Sequence, residues 1–103
     1  MAERLYIIPY SRNARKRHYH KTNRGRVTNF VIQLEVEVGG EWKTVVRYDC
    51  THSFVHRDCY NLSGEQRKEK LDLSYEEALT FADEDIDENW ERDQRIFLHG
   101  GYP

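Results

Sequence analysis

The sequence predicts an α+β fold, with an antiparallel sheet of three to five strands built on a central hairpin and one long C-terminal amphipathic helix packed on one face. Residues 27–38 alternate between apolar and polar residues, as a half-buried strand does, and a Gly-Gly turn leads into a second strand. Residues 74–98 carry apolar residues at steps of three or four, which is the helical period. The 103 residues suffice for a single domain over residues 1–103 with one modest core.

The first predicted element is the short apolar run RLYIIPY. Pro9 ends this run, and because proline cannot donate to a sheet we expect a strand at the sheet edge. Residues 11–26 follow without an apolar period and are rich in lysine and arginine, so they predict a basic loop or arm. The antiparallel sheet is then expected to occupy residues 27–73.

The central hairpin allows two registers that differ by one residue. A two-residue loop, Gly39-Gly40, pairs Val36 with Lys43 and brings charges onto the apolar face. A three-residue loop pairs Val36 with Thr44 and keeps that face apolar. Because a one-residue shift moves every side chain to the other face, the three-residue loop is predicted.

This register makes predictions for the far end of the hairpin. It pairs Ile32 with Tyr48 and buries the thiol of Cys50. Arg47 and Asp49 then point away from the apolar stripe.

Two shorter strands and the helix complete the expected layout. SFVHRDCYNL predicts a third strand, and KLDL predicts a short fourth strand after a polar turn. Ser74 and Glu77 have the spacing of a capping box, which predicts the start of a helix over residues 74–98. Gly100-Gly101 marks its end.

Charge is unevenly distributed along the chain. Residues 1–26 hold eight lysines and arginines against one glutamate, so their net charge is +7. Residues 74–98 hold nine acidic residues against two arginines, so theirs is −7. Such a split indicates either that one end binds nucleic acid or that the two ends contact each other, within one chain or across a homodimer.

The basic segment offers cations for phosphate contact, with His18, Tyr19 and His20 between them to stack on bases. The candidate nucleic-acid-binding residues are Arg12, Arg15, Lys16, Arg17, Lys21, Arg24 and Arg26. The alternatives are a solvated loop or a contact with the acidic helix.

Several classes are not expected. No apolar run approaches the ~18–20 residues that cross a bilayer, so no membrane partner is predicted. Two cysteines do not make a disulfide framework, which favours a cytoplasmic protein with Cys50 and Cys59 as free thiols.

The stretch RYDCTHSFVHRD, residues 47–58, concentrates reactive side chains. His52 and His56 would stand ~13 Å apart on a strand, too far for one ion, and the spacing of Cys50 and Cys59 matches no tight zinc motif. We therefore expect neither a bound metal nor a cofactor.

Phosphate chemistry suits the same stretch better. His52 and His56 could act as acid and base near neutral pH, Arg47 and Arg57 could hold a phosphate, and Asp49 could orient one of them. The alternative is a polar loop whose side chains make structural hydrogen bonds.

The motif VVRYDCTHSFVHRD resembles the TumE-type toxins of toxin–antitoxin pairs and their uncharacterised relatives, over about residues 27–97. Those proteins place a hairpin, R-Y-D, a His-rich turn and a C-terminal helix in this order. The resemblance implies a toxin-like role, RNA as the target and a helix-turn-helix antitoxin as the partner. The positions that match are Arg47, Asp49, His52, His56 and Arg57, and the chain departs from the more His-rich pattern at Asp58 and Cys59.

The leading functional hypothesis is thus a toxin-like, metal-independent ribonuclease. The alternatives are a non-catalytic module that grips nucleic acid with its basic arm, and a protein-interaction subunit whose acidic helix meets a basic partner.

Overall fold

The computed structural model describes all 103 residues and shows one antiparallel sheet with one helix on one face. The strands lie in the sheet in chain order: β1 Ala2–Ser11, β2 Ala14–Asn23, β3 Arg26–Val38, β4 Glu41–Asp49, β5 Val55–Tyr60 and β6 Gln66–Leu71. A 3-10 turn at Thr51–Ser53 joins β4 to β5, and the helix α1 spans Tyr75–Leu98. The α+β class is confirmed, but the sheet has six strands where three to five were predicted.

The additional strand is β2, which lies where a loop was expected. The prediction of a basic loop or arm over residues 11–26 is wrong for residues 14–23, which form β2 between β1 and β3. Side chains of β2 do alternate between the two faces of the sheet, but few of those that point inward are apolar. Lys16 and His18 occupy inward positions and are each only 2% exposed. A pattern that scores only apolar residues misses a strand of this kind.

The central hairpin combines the two registers considered from the sequence. Leu34 pairs with Val46 as predicted, but towards the tip Val36 pairs with Lys43 and the turn shortens to Gly39-Gly40. The shift leaves Val45 as the extra residue of a β-bulge. The predicted register is therefore correct for the inner half of the hairpin and wrong for its tip.

The core lies between the sheet and α1. Phe30, Ile32, Leu34 and Tyr48 are buried on the sheet side, and helix residues that include Ile86 pack on them. Burial of these apolar side chains supplies most of the stabilisation.

The N-terminus of α1 is capped as predicted. The Glu77 amide donates to Ser74 Oγ over 3.1 Å, and the Ser74 amide donates to Glu77 Oε1 over 3.0 Å. This reciprocal pair fixes where the helix begins.

No helix in the structure could span a membrane, because α1 is too polar.

Candidate functional site

The helix covers one face of the sheet and leaves the other, here called the open face, uncovered. Strand register aligns its side chains in two rows that run across all six strands. The first row is Leu5, Tyr19, Val31, Asp49, His56 and Lys70, and the second is Ile7, Arg17, Gln33, Arg47, Asp58 and Lys68. Because cross-strand neighbours are ~5 Å apart, each row is a continuous strip of side chains.

A shallow groove of about 330 Å³ lies on the open face over β1 to β4. It is lined by Leu5, Arg17, Tyr19, Val31, Gln33 and Arg47. The groove thus combines two guanidinium groups with a phenol ring and two aliphatic side chains. These are the groups that hold phosphates and unstacked bases in single-stranded nucleic-acid sites.

Depth separates the charges of the open face by sign. The carboxylates of Glu35, Asp49 and Asp58 are 7%, 3% and 4% exposed, whereas Lys68 and Lys70 are exposed. Glu35 accepts from Arg15 Nε over 2.7 Å, so this acid is neutralised within the sheet. Glu3 and Glu37 are the exposed acids on this face by register, so the charge that solvent meets there is more positive than negative.

The seven basic residues predicted to bind nucleic acid do not share one surface. Arg15, Arg17 and Lys21 lie on the open face by register. Lys16 lies on the opposite face, and the others, Arg12, Arg24 and Arg26, lie at the turns around β2.

Arg15 also contacts an aromatic ring, because its guanidinium lies 3.9 Å from the centroid of Trp42. The open face therefore carries a second pairing of a cation with an aromatic side chain, beside the groove.

Three of the predicted catalytic residues come together on the open face. Arg47 Nε donates to Asp49 Oδ2 over 2.8 Å, and Asp49 Oδ1 lies 2.5 Å from His56 Nε2. Direct pairing of Asp49 with His56 across β4 and β5 explains the contact. His56 is only 2% exposed, however, so its imidazole does not reach a phosphate bound at the surface.

The other two predicted catalytic residues lie elsewhere. Arg57 points to the helix face, where its Nε donates to Tyr48 Oη over 3.1 Å and lies 4.0 Å from Asp85. Adjacent residues of a strand face opposite ways, so Arg57 and His56 cannot serve one site. His52 is exposed in the 3-10 turn with a φ of 67°.

The predicted catalytic set does not include Asp58, which the sequence offers only as a possible metal donor. Its Oδ1 lies 3.4 Å from His56 Nδ1, so the imidazole stands between two carboxylates. The sequence does contain the signal, since Asp58 and His56 are two apart on a strand, but the pairing of β4 with β5 was needed to add Asp49.

A second titratable cluster lies on the helix face of β2. His18 Nδ1 is 3.1 Å from Asp83 Oδ1, and His18 Nε2 is 2.6 Å from His20 Nδ1. Burial, the charge of His18 and that of Arg4 lower the pKa of His20. The sequence predicts only a stacking role for His18 and His20, although their spacing places both on one face of a strand.

Helix acids surround the same cluster. Lys16 Nζ lies 3.0 Å from Asp83 and 2.8 Å from Asp87. Burial lowers the pKa of Lys16, but hydrogen bonds to Asp87 and Asp83 outweigh it and raise that pKa above the usual value. Here the basic and acidic segments contact each other within one chain, one of the two arrangements considered from the charge split.

Fold and surface together define a single-sheet α+β protein with a cationic, uncovered sheet face. The chain belongs to the family described as a domain of unknown function, DUF7718, whose model matches residues 1–101. No curated protein and no solved structure matches the chain.

Proposed function

We propose that the open face binds single-stranded RNA without cleaving it. The observation that carries this proposal is the groove lined by Arg17, Tyr19 and Arg47 on a sheet surface that no element covers. In this binding mode the two guanidinium groups contact phosphates and the ring of Tyr19 stacks on a base.

Energetics favour such a surface for nucleic acid. Each phosphate that a cation neutralises releases counterions, which makes binding strong at low salt and weak at high salt. A base stacked on an aromatic ring contributes ~1–3 kcal/mol without regard to its identity. We therefore expect binding that tolerates sequence changes and depends steeply on salt.

The open face supports binding better than acid–base catalysis. The one imidazole in its two rows, His56, is buried and faces two carboxylates. The choice of RNA over DNA rests on the toxin-like motif around Arg47, and oligonucleotides of both kinds belong in the test.

The binding proposal predicts that Arg17→Gln and Tyr19→Leu each weaken the affinity for a labelled RNA oligonucleotide by about tenfold or more at low salt, since one removes a phosphate contact and the other a stacking partner. Fluorescence anisotropy over a salt series measures this. Arg17→Gln is also expected to reduce the slope of log K against log salt by about 1.

Arg95→Gln is the matched control, because Arg95 is exposed on α1, away from the open face. Its affinity is expected to equal that of the unmodified chain. Equal losses in Arg17→Gln and Arg95→Gln would contradict the proposal, as would a wild-type chain that binds no RNA.

A second candidate function is RNA cleavage, as the toxin-like motif implies, but with different residues. The chain of contacts from Asp83 through His18 to His20 favours it, because the carboxylate orients His18 and His18 in turn orients the imidazole of His20. In this scheme His20 takes the proton of a 2′-hydroxyl. The 2′-oxygen then bonds to phosphorus, and the 5′-oxygen leaves with a proton from water.

The cleavage hypothesis predicts that His20→Gln abolishes hydrolysis of an RNA panel, while His99→Gln, which changes an exposed histidine after α1, does not. Because the pKa of His20 is lowered, the rate is expected to reach its plateau at a lower pH than an ordinary histidine base gives. No cleavage by the unmodified chain would end this hypothesis without affecting the binding proposal.

A further inference from the structure

The open face holds a buried cluster that RNA binding does not use. Asp49, His56 and Asp58 are 3%, 2% and 4% exposed, and one possible ligand atom from each lies within 4.8 Å of the others. All three residues stand on β4 and β5, two hydrogen-bonded strands. Their backbone positions are therefore fixed by the sheet.

Polar atoms of this cluster lack hydrogen-bond partners. Neither ring nitrogen of His56 has one, and neither does Asp58 Oδ1. Asp49 Oδ1 lies 2.5 Å from His56 Nε2, and Asp58 Oδ1 lies 3.4 Å from His56 Nδ1. Because these short contacts are not hydrogen bonds, the oxygens must lie off the directions in which the ring nitrogens form them. Buried polar atoms without partners are costly, which calls for a group that satisfies them.

An imidazolium bridging two carboxylates is the competing arrangement. It requires both ring N–H groups to donate along nearly straight hydrogen bonds, and the ring of His56 makes neither. A cation bound at one ring nitrogen needs no N–H donor there, because it accepts a lone pair from that nitrogen and further lone pairs from carboxylate oxygens that turn towards it.

We propose that Asp49, His56 and Asp58 bind one zinc ion. An imidazole with two carboxylates is a donor set that zinc takes, at bond lengths of ~2.0–2.2 Å. Ligand atoms around a tetrahedral zinc stand ~3.4 Å apart at such lengths, so carboxylate rotations that move the oxygens by up to ~1.5 Å close the set.

The surroundings favour zinc over larger or harder ions. Calcium takes six to eight oxygen ligands and magnesium keeps several waters, whereas this cluster offers two carboxylates beneath other side chains. Zinc accepts four ligands, which three residues can supply when one carboxylate binds with both oxygens. Arg47, bonded to Asp49, orients that carboxylate from outside the cluster.

Sequence spacing could not reveal this site. The spacing of His52 and His56 suggested a possible pair of metal ligands, but His52 is exposed and His56 is buried. The ligands come instead from a cross-strand pair and a residue two positions along β5.

Elemental analysis and a zinc titration of the full, untagged chain test the proposal. The unmodified chain, stripped with a chelator and given zinc chloride, is expected to retain about one zinc per chain after gel filtration. Its melting temperature is expected to rise with zinc concentration, because zinc binds the folded state. Less than about a tenth of an ion per chain and no shift in melting temperature would overturn the proposal.

Variants locate the ion. Asp58→Asn and His56→Gln are expected to lose stoichiometric zinc and the shift in melting temperature, whereas His52→Gln, which removes an exposed imidazole nearby, keeps both. Equal zinc binding by all four proteins would overturn the site even with one ion per chain. The wild-type measurement decides the question even where a variant fails to fold, and RNA binding is measured separately, so the two proposals fail independently.

Discussion

Asp93 is a carboxyl group buried on the apolar side of α1. It is 0% exposed; its Oδ1 accepts from Arg92, and its Oδ2 has no hydrogen-bond partner. Burial raises the pKa of Asp93. A group whose folded-state pKa is raised favours folding when it is protonated, so its contribution is lost as pH rises through that pKa.

Asp93→Asn is accordingly expected to remove a pH dependence. The variant should gain stability relative to the unmodified chain as pH rises above the ordinary aspartate value of about 3.9 through the raised pKa of Asp93, because the amide carries no charge to bury. Urea unfolding at a series of pH values measures the difference. A constant difference across that range, or one that Asp72→Asn at an exposed position reproduces, would contradict this account.

Among the elements, α1 and the β3–β4 hairpin were the most predictable from the sequence, and β2 was the least. The apolar period and the capping box predict the helix, and the structure confirms both the helix and its capping box. Strand β2 was missed because its inward positions, Lys16 and His18, are satisfied by helix acids that lie over 60 residues away in the chain. The bulge at Val45 was not predicted because each register was assumed to hold along the whole hairpin.

The site was predictable to a similar degree. Arg47 and Asp49 lie on the open face as their strand positions indicated, whereas the position of His56 and Asp58 beside them depends on the pairing of β4 with β5. Arg57 was predicted to join them because it is close in sequence. Side chains alternate between faces along β5, however, so Arg57 points to the helix face.

The capping box gives a prediction at the scale of the helix. Ser74→Ala is expected to lower the free energy of unfolding by about 1 kcal/mol, because the Glu77 amide loses the Ser74 hydroxyl as its acceptor. Chemical denaturation measures the loss. Ser63→Ala, at an exposed turn position, is the control and is expected to change the stability little; equal effects would show that the cap contributes nothing specific.

At the scale of the whole molecule, the two faces of the sheet differ in charge. The acids of α1 lie on one side of the sheet, where Asp83 and Asp87 contact Lys16 and Asp83 contacts His18. The open face buries Glu35, Asp49 and Asp58 and leaves Lys68 and Lys70 exposed. This polarity supports the proposal that the open face binds a polyanion, which a net charge of −2 alone does not indicate.

The central claim is that RNA lies on the open face. Chemical-shift mapping during titration of the ¹⁵N-labelled chain with an RNA oligonucleotide tests it most directly. The account predicts that the largest changes fall on β1 to β4 around Tyr19 and on the Nε–H signals of Arg17 and Arg47, with α1 little affected. Changes centred on α1 or on the His18–His20 cluster, or none at saturating RNA, would contradict it.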